Sequence, residues 1–285
     1  MTADTGRAAL DGVRVALLRT PERGAAMAEE LERRGADTVL VPLIAWEFPE
    51  DTTELDRFLR AASTYDWVVL TSVTTVRVLH RRALVLGTEL SELLRGVRVA
   101  CVGSATRTAL RELGVLAAVV PAVDQSASGL LEALPAHPAR ALLPQSDLAA
   151  ATLGEGLERR GWTVDAVTAY ATVDYPAAAD RRVPDSGEPG ESGKPRTELA
   201  GEELVREIAA GTIDVVVVTS PSTAERLHAI MGELPVGLVT VAIGQRTAND
   251  AAAIGLRIDA VAATPGPAGI ADAVSAAVAN QPRKG

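Results

Sequence analysis

Three short stretches of this chain each occur twice, and the order in which they recur limits what it can fold into. Residues 14–35 read RVALLRTPERGAAMAEELERRG, and residues 140–161 read RALLPQSDLAAATLGEGLERRG. The two align without gaps and both end in LERRG. Each is an apolar strand, a polar turn, a helix with apolar spacing and a terminating glycine. A second pair is DWVVLTSVTTVRVLH at 66–80 and DVVVVTSPSTAERLH at 214–228. Its apolar run is too continuous for a half-exposed strand, which predicts a parallel strand buried on both faces. The third pair, VACVGSATRTALRELG at 99–114 and VAIGQRTANDAAAIG at 241–255, repeats strand, glycine turn, helix and glycine.

Strands that alternate with helices imply parallel sheets with right-handed crossovers. Each set of repeats makes about one small doubly wound domain, and 285 residues at 47% hydrophobic composition can fill two such cores. Aromatic residues are only 3%, so the cores should be aliphatic. Residues 177–200, AAADRRVPDSGEPGESGKPRTELA, break the pattern. They are rich in Pro, Gly, Glu and Ser without an apolar period, and are expected to be a flexible insertion. Gly193-Lys194 is not a phosphate loop, because Pro195 stands where Ser or Thr is needed. Gly154-Glu-Gly156 falls inside a predicted helix and lacks a third glycine, so it is no dinucleotide fingerprint.

A net charge of −9 argues against a nucleic-acid partner. It also means that an anionic ligand must be held by local donors. The one cysteine, Cys101, excludes an intramolecular disulfide and fits a reducing compartment. Its apolar surroundings suit a small buried hydrophobe. No apolar run reaches the ~18 residues of a membrane span. Residues 1–10 carry no basic region followed by an apolar stretch, so a cytoplasmic protein without a signal peptide is expected.

The repeated turns end in hydroxyl residues: Thr71-Ser72, Ser104 with Thr106, Gln145-Ser146, Thr219-Ser220 with Ser222, and Thr247. Plain helix capping competes with binding at each. The argument for binding is collective. Several helix N-termini at the carboxyl ends of parallel strands offer free N–H groups and positive dipole ends, which suits a ligand with several carboxylates. His80 and His228 lie well down their helices and His137 in a Pro-flanked loop, so a metal site is not expected. Tyr170, in VDAVTAYATVDY, is equivalent to Ile44 in the first repeat, and reads equally as a wet strand residue or as a functional phenol.

In this order, the strand with its Arg19-Thr20-Pro21 turn, the PLI segment, LTSVTTVR, VGSATRTAL, LLPQSD, VTAY, VTSPSTAERL and IGQRTANDA resemble the uroporphyrinogen-III synthases, from about Val13 to Ala279. The resemblance implies two doubly wound α/β domains joined by a two-stranded connector, with a cleft between them. One domain is discontinuous, 1–42 and 174–285. The other is 49–167, and the connectors are 43–48 and 168–173. It further implies a lyase that needs no cofactor and acts on hydroxymethylbilane, a linear tetrapyrrole with eight carboxylates. The hydroxyl leaves as water, the last pyrrole is inverted through a spiro intermediate, and the ring closes as uroporphyrinogen III. A tyrosine at the place of Tyr170 assists departure of the hydroxyl. Threonines at the places of Thr106 and Thr247 line the cleft, and Arg19, Thr71, Ser72, Ser104, Ser146, Ser220 and Ser222 are the further substrate-binding candidates. A monomer acting in heme biosynthesis is expected. Two departures concern side chains: the first turn reads Arg-Thr-Pro rather than Thr-Arg-Pro, and Thr74 replaces a common Asn. The rival readings are a two-lobed small-molecule binding module without catalysis and a scaffold that kept the fold.

Overall fold

A computed structural model describes residues 9–184 and 196–280. In chain order the strands are β1 (Arg14–Leu17), β2 (Asp37–Leu40), β3 (Ile44–Glu47), β4 (Trp67–Leu70), β5 (Arg98–Cys101), β6 (Ala117–Val119), β7 (Arg140–Ser146), β8 (Thr163–Asp174), β9 (Thr197–Glu198), β10 (Val215–Val218), β11 (Val239–Ala242) and β12 (Ala260–Val261). The helices are α1 (Pro21–Arg33), α2 (Thr53–Arg60), α3 (Val73–Val85), α4 (Leu90–Leu93), α5 (Ser104–Glu112), α6 (Ala127–Ala133), α7 (Thr152–Arg159), α8 (Gly201–Ala209), α9 (Pro221–Met231), α10 (Gln245–Ala253) and α11 (Pro267–Ala279). They divide into two compact α/β units. The first takes the described parts of 1–44, 174–176 and 185–285, and the second takes Ala45–Val173 and Ala177–Pro184.

The first unit holds a six-stranded sheet in the order β12-β11-β10-β1-β2-β9, with every pairing parallel. The second holds the order β3-β8-β7-β4-β5-β6. The pairings among β8, β7, β4, β5 and β6 are parallel. In the first sheet the chain starts near the middle at β1 and winds outward both ways. In the second it enters at the edge strand β3, passes to β4 near the middle and winds outward both ways from there, so helices cover both faces.

The continuous apolar runs explain the central strands. Val215 and Val217 pack into one cluster with Leu17 and Ile270, while Val216 and Val218 pack into another with Leu204 and Leu227. β4 does the same: Val68 and Leu70 join Leu79 and Leu110, and Trp67 and Val69 join Leu157 and Trp162. Alternate residues thus serve opposite cores, and a polar residue at either parity would lie in an apolar layer. Burying each such side chain is worth ~1.5–3 kcal/mol. Cys101, with no exposed surface, belongs to one of these layers.

The shared LERRG ends have a shared geometry. Gly35 has φ of 98° and Gly161 has φ of 82°. Gly35 N–H reaches the Glu32 carbonyl and Ala36 N–H the Leu31 carbonyl, at 2.9 and 3.1 Å. Gly161 and Trp162 repeat this pair of bonds to Glu158 and Leu157 at 2.8 and 3.1 Å. This is the paired C-terminal cap that needs a left-handed residue, and glycine adopts it without steric cost.

Two sequence expectations need correction. Residues 177–200 are not a free insertion at either end. Val183 is 3% exposed in a core of the second unit, and its N–H donates to the Trp46 carbonyl at 2.8 Å. Arg181 pairs with Glu47 at 2.9 Å, and Ala178 N–H donates to the same carboxylate at 2.6 Å. At the other end, β9 extends the first sheet beside β2, and the largely buried Arg196 side chain bonds Glu32 at 2.7 Å. The composition masked these contacts, because single residues such as Val183 and Leu199 supply the burial without a period. Residues 185–195, with Gly193 and Lys194, lie outside the described residues.

The expected connectors, 43–48 and 168–173, are likewise not separate from the domains. β3 and β8 are adjacent strands of the second sheet. The chain crosses between units not only near residues 44 and 173 but also at 176/177 and after Pro184, because 177–184 returns to the second unit.

Candidate active site

Parallel strands end at one edge, so the turns singled out by the repeats gather there within each unit. In the first unit the adjacent strands β1, β10 and β11 lead to Arg19, to Ser220 and Ser222, and to Thr247. In the second, β5, β4, β7 and β8 lead to Ser104 and Thr106, to Thr71 and Ser72, to Ser146, and to Tyr170.

The hydroxyls divide into distinct roles. Ser72 is the N-cap of α3 and accepts the Thr75 N–H at 3.0 Å. Ser220 caps α9 in the equivalent way, with Thr223 N–H at 3.2 Å and a return bond from Ser220 N–H to Thr223 Oγ1 at 2.9 Å. Thr219 Oγ1 donates to the Leu18 carbonyl at 2.8 Å and so ties β10 to β1. The third repeat differs. The N-caps of α5 and α10 are Gly103 and Gly244, and neither helix has a side-chain cap. Ser104 N–H instead meets Gln125 Oε1 at 3.3 Å, and a Cβ built on Gly244 would have nothing within 4 Å. Gln125 therefore already sits at the α5 start, whereas the α10 start has no side chain against it. Thr106 and Thr247 occupy the third position of the same helices, 5% and 4% exposed. Each is thus tucked beneath its first turn. Ser104 lines a groove of about 430 Å³ between α3 and α5, together with Arg77, Thr108 and Glu112.

Tyr170 lies on β8 at a shift of register. β8 pairs with β7 in simple register from Thr163 to Thr168, opposite Arg140 to Gln145. Then the register slips, and Ser146 faces Tyr170, leaving Ala169 as an extra residue. Val167 and Ala169 point into the core beneath α3, as alternation requires. Tyr170 points into that core too. The bulge therefore turns the phenol to a face that strict alternation would deny it, a familiar use of a bulge beside a functional site. The side chain is 7% exposed, and its Oη lies 3.2 Å from Ser72 Oγ, which in turn is 2.8 Å from Thr75 Oγ1. Ser146 Oγ sits 3.2 Å from Thr172 Oγ1 and donates to Asp147 Oδ1 at 2.9 Å. A chain of hydroxyls thus surrounds the bulge, and Thr75, Asp147 and Thr172 are members that sequence reasoning missed. Thr75 had a signal in its spacing three residues after a capping serine, and Asp147 had one in the PQSD turn. Thr172 had none.

Chemically these edges offer neutral O–H groups and backbone N–H groups. Among the described residues no group of three or more His, Cys, Asp or Glu could hold a metal ion, and no helix is long and apolar enough to cross a membrane. His80 and His228 lie within α3 and α9.

Fold and site together define a two-unit, doubly wound α/β protein whose donors line the carboxyl ends of both sheets. The model of one family, uroporphyrinogen-III synthase HemD, matches residues 25–272, and the chain belongs to that family. Its function is that of a uroporphyrinogen-III synthase, a lyase of porphyrin and heme biosynthesis that closes the ring of hydroxymethylbilane. A protein of Methanothermobacter thermautotrophicus that carries the uroporphyrinogen-III synthase name is 29% identical over 231 residues, 80% of this chain and 81% of its own length. The fold is similar to a crystallised mutant uroporphyrinogen III synthase of Thermus thermophilus, with a TM-score of 0.69 at 21% identity, covering 94% of this chain and all of that one. It is also similar to a Helicobacter pylori uroporphyrinogen-III synthetase, with a TM-score of 0.53 at 12% identity and the same coverage.

Proposed function

We propose that Tyr170 is the catalytic residue of this synthase and that the helix starts at the strand ends hold the substrate carboxylates. The observation that carries this reading is the aim of Tyr170. A bulge turns its phenol toward the start of α3, where Ser72 Oγ fixes it at 3.2 Å. The phenolic O–H then donates a hydrogen bond to the hydroxyl leaving hydroxymethylbilane. The C–O bond breaks and the oxygen departs as hydroxide, hydrogen-bonded to the phenol. The last pyrrole is inverted through the spiro intermediate, a new carbon–carbon bond closes the ring, and a ring proton is released. One water is the net loss.

The difficulty of this reaction is geometric, since the linear substrate also closes on its own without inversion, and positioning supplies the selectivity. Gly244, an N-cap without a side chain and with nothing packed against it, leaves backbone N–H groups for carboxylates. Arg19, Thr71, Ser104, Ser146 and Ser222 complete the set as contacts along the same edges. No cofactor is needed, because ionisation of the substrate drives the step. The protein acts as a monomer, and its single buried, unpaired thiol suits the cytoplasm.

The test is the isomer ratio. Purified protein is incubated with hydroxymethylbilane and a chelator, and the oxidised products are resolved into isomers I and III. Isomer III should dominate. A fraction no higher than in a protein-free control would overturn the proposal and favour a binding module.

A further inference from the structure

We infer that Asp147 is a positioning residue that sets the aim of Tyr170. This rests on the role given to Tyr170 above. β7 ends at Ser146, so the parallel ladder that holds β8 stops at the Ser146–Tyr170 pair, just past the bulge. β8 itself runs on to Asp174. Where the strand gives out, the next residue takes over its work. Asp147 N–H donates to the Tyr170 carbonyl at 3.0 Å. Asp147 Oδ1 accepts the Thr172 N–H at 2.9 Å and the Ser146 hydroxyl at 2.9 Å. One residue thus grips the main chain of β8 on both sides of Ala171, once with its own backbone and once with its side chain.

This grip bears on catalysis because of what precedes it. A bulge removes a residue from the ladder and frees the strand to twist. The phenol beyond it has to come within hydrogen-bond reach of the departing oxygen, ~3 Å. Misplacement by about 1 Å can cost up to ~10²-fold in rate. Asp147 itself is exposed, so the melting temperature reads separately how far its hydrogen bonds hold the fold rather than the aim of the phenol. Its negative charge is also of no use beside a polycarboxylate substrate. What the position requires is an acceptor at Oδ1, which an asparagine also provides.

The experiment compares Asp147→Ala, Asp147→Asn, Tyr170→Phe and the double variant Asp147→Ala/Tyr170→Phe. For each, kcat and KM for hydroxymethylbilane, the isomer III fraction and the melting temperature are measured, with rates taken on folded protein. Asp147→Ala should lower kcat about tenfold with little change in KM, within the range that misplacement explains. Asp147→Asn should recover most of that loss. The double variant should be no slower than Tyr170→Phe, because a residue that acts through the phenol has nothing left to aim. A normal kcat in Asp147→Ala beside a slow Tyr170→Phe overturns the positioning role alone. So does full additivity in the double variant, or failure of asparagine to rescue. A normal rate in Tyr170→Phe overturns the Tyr170 assignment and this inference with it.

Discussion

The phenol of Tyr170 and the hydroxyl of Ser72 meet at 3.2 Å across a sheet, although 98 positions separate them in the chain. Ser72 comes from the turn after β4 and Tyr170 from β8, and β7 lies between the two strands. Ser72 therefore does two things at once: it caps α3 and holds the phenol.

Tyr170→Phe should lower kcat by ~10²-fold or less, the low end for proton-donor assistance, with a melting temperature close to the parent. Ser72→Ala should show a mixed effect, a loss of ~1 kcal/mol from the missing cap together with a slower rate. Denaturant titration and steady-state kinetics on the same samples separate the two. Unchanged kinetics in both variants would remove the pair from the mechanism.

Thr106 and Thr247 offer a cleaner test of hydroxyl chemistry, since both are buried and a valine fills nearly the same space. Thr106→Val and Thr247→Val should slow turnover while the folded fraction stays high. If the rates stay normal and only stability falls, these residues pack beneath the first turns and do nothing more.

Segment 177–184 should matter for stability despite its composition. Val183→Ala removes two methyl groups from a site 3% exposed, which predicts a loss of about 2 kcal/mol at ~0.8 kcal/mol per buried carbon plus a cavity cost. Urea unfolding monitored by circular dichroism would measure it. A change within experimental scatter would show that the segment only rests on the surface.

At the opposite end of the second sheet, Tyr65 donates to Asp165 at 2.7 Å and Arg140 bonds the same carboxylate at 2.8 Å. The Tyr65 hydrogen bond, followed by Arg140, holds the Asp165 carboxyl below its usual range, against the opposing effect of burial. Burial, and then Asp165, push the Tyr65 phenol up to about 12, so it remains a donor throughout the neutral range. A depressed carboxyl stabilises the fold above its unfolded pKa of ~3.9, and that contribution disappears as pH falls through the folded value. Asp165→Asn should therefore be less stable than the parent at pH 7, and the difference should shrink as pH falls below ~4. A constant difference across that range would show that the charge does not matter.

Cys101 has no exposed surface, and burial pushes its thiol up to about 11. A thiol reagent at pH 8 should modify it only as fast as the second unit opens. Prompt modification of the native protein would contradict the packing described for β5.

The strand-turn-helix units, their paired glycine ends and the two-sided burial of β4 and β10 were legible in the sequence, because each depends on residues a few positions apart. LERRG predicts its own cap, and VVVV predicts its own two cores, wherever the segment lies. The turns that carry the candidate hydroxyls were legible for the same reason, since a parallel strand feeding a helix exposes its end by construction. Tyr170 was visible as a residue but its direction was not. That direction comes from one extra residue against β7 and from Asp147 taking hold where β7 stops, and both are properties of a pairing rather than of a segment. The return of 177–184 to the second unit escaped for a similar reason. Val183 and Arg181 look like loop residues until Trp46 and Glu47 stand opposite them, and only tertiary structure brings those strands together.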